Sequence, residues 1–288
     1  MSGILVTGAN GKTGSEAVRR LRAAGARVRA MVRSAAKGEA LRATGAEVVV
    51  ADLTTPATIG PALEGMDHVL LVTSPSPDQV AVQHNLIEAA MRGPRRHVVK
   101  VSAVGTGPRS PFALGRWHAE IEAELVASGM GWTFLRPQSY MQNLLMAAPT
   151  IQTEGKLYAP MRDGRTPLVD VRDVAAVAAA CVLEPGHEGM TYDVTGGEAV
   201  SYAEVAAHIG RAIGKPVTYV DVPPAAARAG MLQAGLPDWL ADDLLVLYGI
   251  AAAGKSRGPT TVVRDVGGKD PVTIAEFARD HAAAFRGG

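Results

Sequence analysis

An α/β fold is predicted, with a doubly wound parallel sheet and a smaller C-terminal α/β lobe, and three observations predict it. Short apolar runs alternate with helix-compatible segments from residue 3 to residue 135, the βαβ rhythm of a parallel sheet with right-handed crossovers. The first run ends in Gly8, Gly11 and Gly14, spaced three apart between a strand and a helix. From residue 144 to residue 165 the pattern turns irregular and rich in Gly and Pro, and then resumes as a second α/β series. The boundary is accordingly placed between residues 143 and 144.

Residues 3–6 form a buried strand, and residues 15–24 put Ala17, Val18 and Leu21 on one face with arginines between them, so the glycines join a strand to an amphipathic helix. Glycine removes a side chain where the backbone must turn, approach a pyrophosphate and pack helix on strand, while the helix N-terminus offers N–H groups to the anion. Thr7, Gly8, Asn10, Gly11, Lys12, Thr13 and Gly14 therefore read as a phosphate-binding turn, spaced G-x-x-G-x-x-G, in a Rossmann-like domain over residues 1–143.

The second strand, 28–32, ends at Arg33, 19 residues after Gly14 and close to the interval at which a dinucleotide fold reads the adenosine ribose. An acid there would accept from the 2′-hydroxyl of NAD. A guanidinium instead meets a 2′-phosphate, so the expected cofactor is NADP(H). Lys37 either adds charge to that phosphate or is a solvated helix lysine.

Further strands are expected over 47–51, 68–73, 97–102 and 132–135, with a helix over 78–92. Ligands of such sheets bind outside the carboxyl ends of the strands. Asp52 is placed to accept from the adenine amino group with Leu53 covering the ring; the competing reading is a turn aspartate before Thr54, Thr55 and Pro56. Thr73, Ser74 and Pro75 form a rigid loop against the cofactor's middle, and Ser102 and Pro137 follow the next two strands.

The chain has 288 residues, 47% of them hydrophobic, enough for a large core, and a formal net charge of +1. With no basic run beyond Arg95-Arg96, neither nucleic acid nor an anionic membrane is an expected partner. The single cysteine, Cys181, lies in an alanine-rich helical run and reads as a buried thiol, which excludes a disulfide within the chain. No export leader and no stretch of ~18 apolar residues is present, so a cytoplasmic protein is expected. The seven histidines are dispersed, and His118, Glu120, Glu122 and Glu124 do not make the helical zinc pattern, so no metal site is expected. Gly105-Thr106-Gly107 lacks the serine of a nucleophile elbow, which argues against hydrolases.

Across nearly its whole length the sequence resembles the NmrA-like atypical short-chain dehydrogenase/reductases, a family that includes type 2 quinone oxidoreductases and triphenylmethane- and azo-dye reductases. The resemblance is carried by the turn from Val6 to Gly14, by Val32-Arg33, Ala51-Asp52-Leu53 and Val101-Ser102-Ala103, and above all by the segment from Gly131 to Asn143. It implies an NADPH-dependent enzyme whose residues 166–197 return to the main sheet, with Asp173 near a helix start, where an N-terminal capping role is expected.

The wider superfamily uses Tyr-x-x-x-Lys to move a proton and hold the nicotinamide ribose. Here the corresponding residues look like Leu114 and His118. A leucine moves no proton, so the expected reaction is hydride transfer to an acceptor whose proton comes from water, such as a quinone or a conjugated cation. His118, with an ordinary pKa near 6.5, is a candidate partner of the ribose or substrate, or else a packed helix histidine. Ser102 either faces the nicotinamide or serves as a turn residue. Tyr140 either borders both nicotinamide and substrate or packs with Met141 and Met146.

In the second lobe a strand is expected over 190–194, a helix over 201–213 with a Ser201/Glu204 capping box, a strand over 217–222 and a last helix over 273–285. The apolar series Met231, Leu232, Leu236, Trp239, Leu240, Leu244, Leu245, Leu247 and Tyr248 reads as helix core, or as a substrate pocket or oligomer contact. The leading expectation is an NADPH-dependent reductase of a small conjugated acceptor, monomeric or homodimeric. The alternative is an NADP(H)-sensing regulator without catalysis.

Overall fold

The computed structural model describes residues 2–287. The strands, in chain order, are β1 (Gly3–Val6), β2 (Arg27–Val32), β3 (Glu47–Val50), β4 (His68–Leu71), β5 (His97–Val101), β6 (Gly131–Pro137), β7 (Lys156–Ala159), β8 (Arg165–Thr166), β9 (Met190–Val194), β10 (Val200–Ser201) and β11 (Thr218–Asp221). Seven of them form one sheet in the order β3-β2-β1-β4-β5-β6-β9, with every pairing parallel. The order reverses at β1, and the doubly wound sheet expected from the sequence is present.

Its helices are α1 (Lys12–Ala23), α2 (Glu39–Arg42), α3 (Ile59–Leu63), α4 (Gln79–Met91), α5 (Ala113–Ala127), α6 (Ala148–Glu154) and α7 (Val171–Leu183). Val6, Val28, Val99 and Leu135 pack with Ala17, Val18 and Leu21 of α1 and Val174, Val177 and Cys181 of α7 on one face. Leu5, Met31, Val69 and Phe134 pack with Leu86 and Ile87 of α4 and Ile121 and Leu125 of α5 on the other. Burial on both faces explains why these strands read as continuous apolar runs and not as alternating ones. Cys181 is buried, and burial pushes its thiol up to about 12.

The remaining helices are α8 (Tyr202–Ile213), α9 (Pro224–Gln233), α10 (Asp238–Ala252), α11 (Val262–Asp265), α12 (Ile274–Asp280) and α13 (Ala282–Arg286). Of these, α8, α12 and α13 enclose, with α6, β7 and Ala251 of α10, a third core around Leu157, Val205, Ile209, Phe277 and Phe285, while α11 adds Val263 to the first. The Ser201/Glu204 capping box is formed, as the sequence predicts. Two expectations change. The last helix breaks at His281 into α12 and α13. Asp173 is not the cap of α7, since Asp170 accepts from the Arg172 N–H there; Asp173 instead accepts from Val272 N–H at 2.9 Å and pairs with Lys269, clamping the C-terminal segment. Among the described residues no helix is long and apolar enough to cross a membrane.

His97 on β5 gives the sheet a measurable acid sensitivity. The Thr133 hydroxyl donates to His187 O at 2.5 Å, so it accepts from His97 Nε2–H at 2.8 Å, and burial pushes His97 down to about 4. Between its ordinary 6.5 and 4 the unfolded chain takes up a proton that the folded one refuses, so stability falls as pH falls through that window, by on the order of 2–3 kcal/mol. His97→Gln is expected to flatten the slope of Tm against pH there. An unchanged slope in thermal melts would contradict this assignment.

Candidate functional site

The glycine turn is shaped by close backbone approach. Gly8 adopts φ +56°, where a Cβ would also lie 2.6 Å from Val72 O. A Cβ on Gly14 would overlap Gly8 O, so α1 can sit on the turn only because Gly14 has no side chain. Gly11 differs: it is exposed, and a Cβ there meets only Gly8 O, at 3.1 Å. It is the N-cap of α1 without any side-chain cap, and the amides of Lys12, Thr13 and Gly14 find no acceptor among the described residues. An open backbone cradle with unpaired N–H groups fits a pyrophosphate.

The other predicted cofactor residues divide. Asn10 and Lys12 are exposed on the turn, and Lys12 also lines a cavity of about 460 Å³ with Gln142, Val171, Arg172 and His281. Thr7 is a correction: it is buried, and its hydroxyl donates to Val72 O at 2.8 Å and accepts from Val72 N–H at 2.9 Å, sewing β1 to the end of β4. Arg33 stands exposed just beyond β2. Asp52 lies near it; hydrogen bonding from the Thr54 amide and hydroxyl, each at 2.9 Å, together with the charge of Arg33, holds its carboxyl below the ordinary value. The turn reading of Asp52 is the one these bonds display, with Oδ1 building the turn to Thr54.

Leu53 is a second correction. Its side chain is buried in the core beneath α4, and its carbonyl accepts from Asn85 at 2.9 Å, so it does not lie open as a ring cover. In the loop after β4, Thr73 accepts from Gln83 at 2.8 Å while Ser74 and Pro75 are exposed.

At the ends of β5 and β6 the polar groups are interlocked. Ser102 donates to Glu122 at 2.6 Å, and Glu122 receives Arg136 through two bonds, the shorter 2.5 Å. Ser102 is therefore a third correction, its proton committed to α5 and not to a nicotinamide. His118 is buried, with Nδ1 2.7 Å from the Lys100 ammonium and 3.4 Å from Gln79 Nε2. Burial, then the charges of Lys100 and Arg136, push His118 well below 6.5, so it stays neutral and does not titrate near neutral pH as the sequence suggested. Pro137 is buried at the end of β6, where its carbonyl accepts from Val104 N–H at 3.0 Å.

Tyr140 follows β6 by a bridge to Val169 and packs against the core that holds α1 and α7. Burial pushes its phenol up to about 12, with the Thr13 side chain beside it pulling the other way. Its hydroxyl thus sits at the start of α1, while Met141 belongs to the second-lobe core and Met146 is exposed. Lys100, Glu122, Arg136 and Asp243 were missed from the sequence. Lys100 alone left a trace, a charge inside the apolar run His97-Val98-Val99-Lys100-Val101. Asp243 of α10 is buried and accepts from the Ala113 and Leu114 amides at 2.7 and 2.8 Å, capping α5 across the two lobes.

Helix-core packing of the apolar series from Met231 to Tyr248 holds at its end, where Tyr248 packs edge-on against Tyr202 of the third core, and fails for most of the rest. No residue of α9 is buried, and α10 buries only Ala241, Asp243 and Ala251. The large side chains stay half-exposed, with Trp239 tilted against Trp117 of α5, ring centroids 5.3 Å apart. They form an apolar shoulder beside the N-terminus of α5, which Asp243 of α10 caps.

Comparisons with known proteins identify the family and the fold. The model of the NmrA-like family matches residues 1–258. The chain is 43% identical over 282 residues to an NAD(P)H azoreductase of Xenophilus azovorans, covering 98% of this chain and 99% of that one. It is 35% identical to quinone oxidoreductase 2 of Escherichia coli strain K12, covering 84% and 85%. The crystal structure of an NADPH-dependent quinone oxidoreductase from Escherichia coli complexed with NADPH superposes with a TM-score of 0.88 at 31% identity, over 96% and 99% of the two chains.

Proposed function

This chain belongs to the NmrA-like family, and from that premise we propose that it is an NADPH-dependent reductase carrying hydride to a small conjugated acceptor, quinone-like or dye-like. The observation that carries the reading is the exposed Arg33 at the ribose-reading position of a cradle whose amides are unpaired. The backbone of Gly8, Gly11 and Gly14 and the amides of α1 hold the pyrophosphate, Arg33 takes the 2′-phosphate, and Asp52, Thr73, Ser74, Pro75 and Pro137 border the rest. Bound there, the nicotinamide supplies the hydride. Residues 1–143 hold the cofactor, residues 144–288 mainly cover the acceptor, and the apolar shoulder of α9 and α10 excludes water from it. The near-neutral charge argues against a nucleic-acid partner, and the enzyme is taken as cytoplasmic, a monomer or homodimer.

A spectrophotometric panel tests this. NADPH absorbance should fall when a quinone or an azo dye is added, and binding of NADPH without consumption by any acceptor would favour the sensor. Tyr140 contributes shape in this account, because a phenol at about 12 gives its proton up poorly. Tyr140→Phe is expected to lower kcat by less than the roughly 100-fold that follows loss of a general acid, and Tyr140→Ala to raise the acceptor's KM. Abolished turnover in Tyr140→Phe with NADPH binding intact would make the phenol the acid.

A further inference from the structure

Reducing a neutral quinone or azo bond takes a hydride and a proton, and Leu114 supplies none. The structure offers a source other than water. Lys100 is fully buried on β5, and its hydrogen-bond partner is not a carboxylate but the neutral His118 ring, Nζ to Nδ1 at 2.7 Å. A buried ammonium spared an ion pair is costly, and a Leu or Met of similar volume would serve packing better. Lys100 is the residue before the last of β5, and Gln79, the first residue of α4, stands 3.4 Å from the His118 ring, so the pair lies toward the carboxyl edge where ligands of this sheet bind.

We propose that Lys100 and His118 deliver the proton that accompanies the hydride: His118 Nε2–H protonates the reduced acceptor while Nδ1 takes a proton from the Lys100 ammonium. This rests on the reductase reading above. The step balances. Quinone plus hydride plus one proton is hydroquinone, an azo bond likewise becomes a hydrazine, the N–H bond at Nε2 breaks as one at Lys100 Nζ breaks and that at Nδ1 forms, and after the product leaves a solvent proton enters at Nε2 while the Nδ1 proton returns to the neutral Lys100 amine. His118 is the catalytic residue, and Lys100 acts through it.

The electrostatics suit the exchange. Burial lowers Lys100 to about 7, with Glu122 of α5 raising it and Arg136 of β6 lowering it, while His118 is neutral throughout. The pair thus carries its proton below pH 7 and loses it above. With Lys100 charged, Nδ1 accepts and Nε2 holds the hydrogen; with Lys100 neutral, Nδ1–H can donate to the amine and the ring adopts the other tautomer.

Nitrogen-15 NMR of the unmutated protein, free of cofactor, reads this directly. The His118 ring should change from Nε2–H to Nδ1–H as pH rises through about 7, and Lys100→Met should hold it in one form. In turnover, the kcat for a quinone should fall above the same pH, whereas the kcat for a triarylmethyl cation, which needs hydride alone, should show no such limb. Lys100→Met should lower the ratio of quinone to cation kcat at least about tenfold. A His118 tautomer independent of pH, or equal pH profiles for the two acceptors, overturns the relay even if the variant fails to fold. Failure of both acceptors to consume bound NADPH overturns the reductase reading and the relay together.

Discussion

Arg33→Ala is expected to weaken NADPH binding by about 10- to 150-fold in Kd while leaving NADH binding where it was. The guanidinium is exposed, takes no partner among the described residues, and stands where the second strand hands the chain to the adenosine ribose. A charge-assisted bond to the 2′-phosphate is worth about 1.5–3 kcal/mol, which sets the size of the loss. Asp52 sharpens the choice, because its carboxylate repels a second anion unless Arg33 lies between them. Because the site faces solvent, the preference should shrink with added salt. Calorimetric titration with both cofactors decides the matter, and equal affinities in the unmutated protein would refute the role of Arg33.

Gly11→Val and Gly14→Val should fail in different ways. Gly11 has φ −80° and ψ 170°, a conformation valine accepts, and its Cβ would need only a small concession from Gly8 O. The variant should fold and lose NADPH affinity by at least about 100-fold, since branched methyls fill the space in front of the unpaired amides and several charge-assisted bonds of about 1.5–3 kcal/mol are forfeited. At Gly14 the added atoms overlap Gly8 O and the Ala9 Cα, so the helix must leave the turn, at about 3 kcal/mol or more of stability. Circular dichroism and calorimetry on both separate a binding cradle from a structural turn; unchanged NADPH binding by folded Gly11→Val would mean the turn holds nothing.

The parts of the molecule set by local chemistry were legible in the sequence. The strand-glycine-helix unit, the parallel alternation and the Ser201/Glu204 capping box each depend on residues a few positions apart, and each is found. Features decided by contacts distant in sequence were not. Nothing near Thr7 announces Val72, which consumes its hydroxyl, and nothing near Ser102 announces Glu122 twenty residues on. Leu53 follows the third strand as a ring-covering residue would, yet the space beneath α4 draws it inward. The break at His281 has no glycine or proline to mark it, since Phe277 and Phe285 are placed by tertiary packing. Asp243 reaches the N-terminus of α5 from 130 residues away. Apolar density in α9 and α10 looked like core because composition does not say whether a partner layer exists, and here most of it stays half-exposed.

Hydride transfer from bound NADPH to a conjugated carbon is the central claim, and isotopic labelling tests it most directly. NADPH carrying deuterium at one face of nicotinamide C4 is incubated with the protein and a triarylmethyl cation, and the reduced product is examined by mass spectrometry, because hydrogen added to that central carbon does not exchange with water. A single deuterium is expected in the product from one of the two stereochemically labelled cofactors and none from the other. Consumption of the dye without deuterium from either label, or binding of NADPH with the dye untouched, would contradict it.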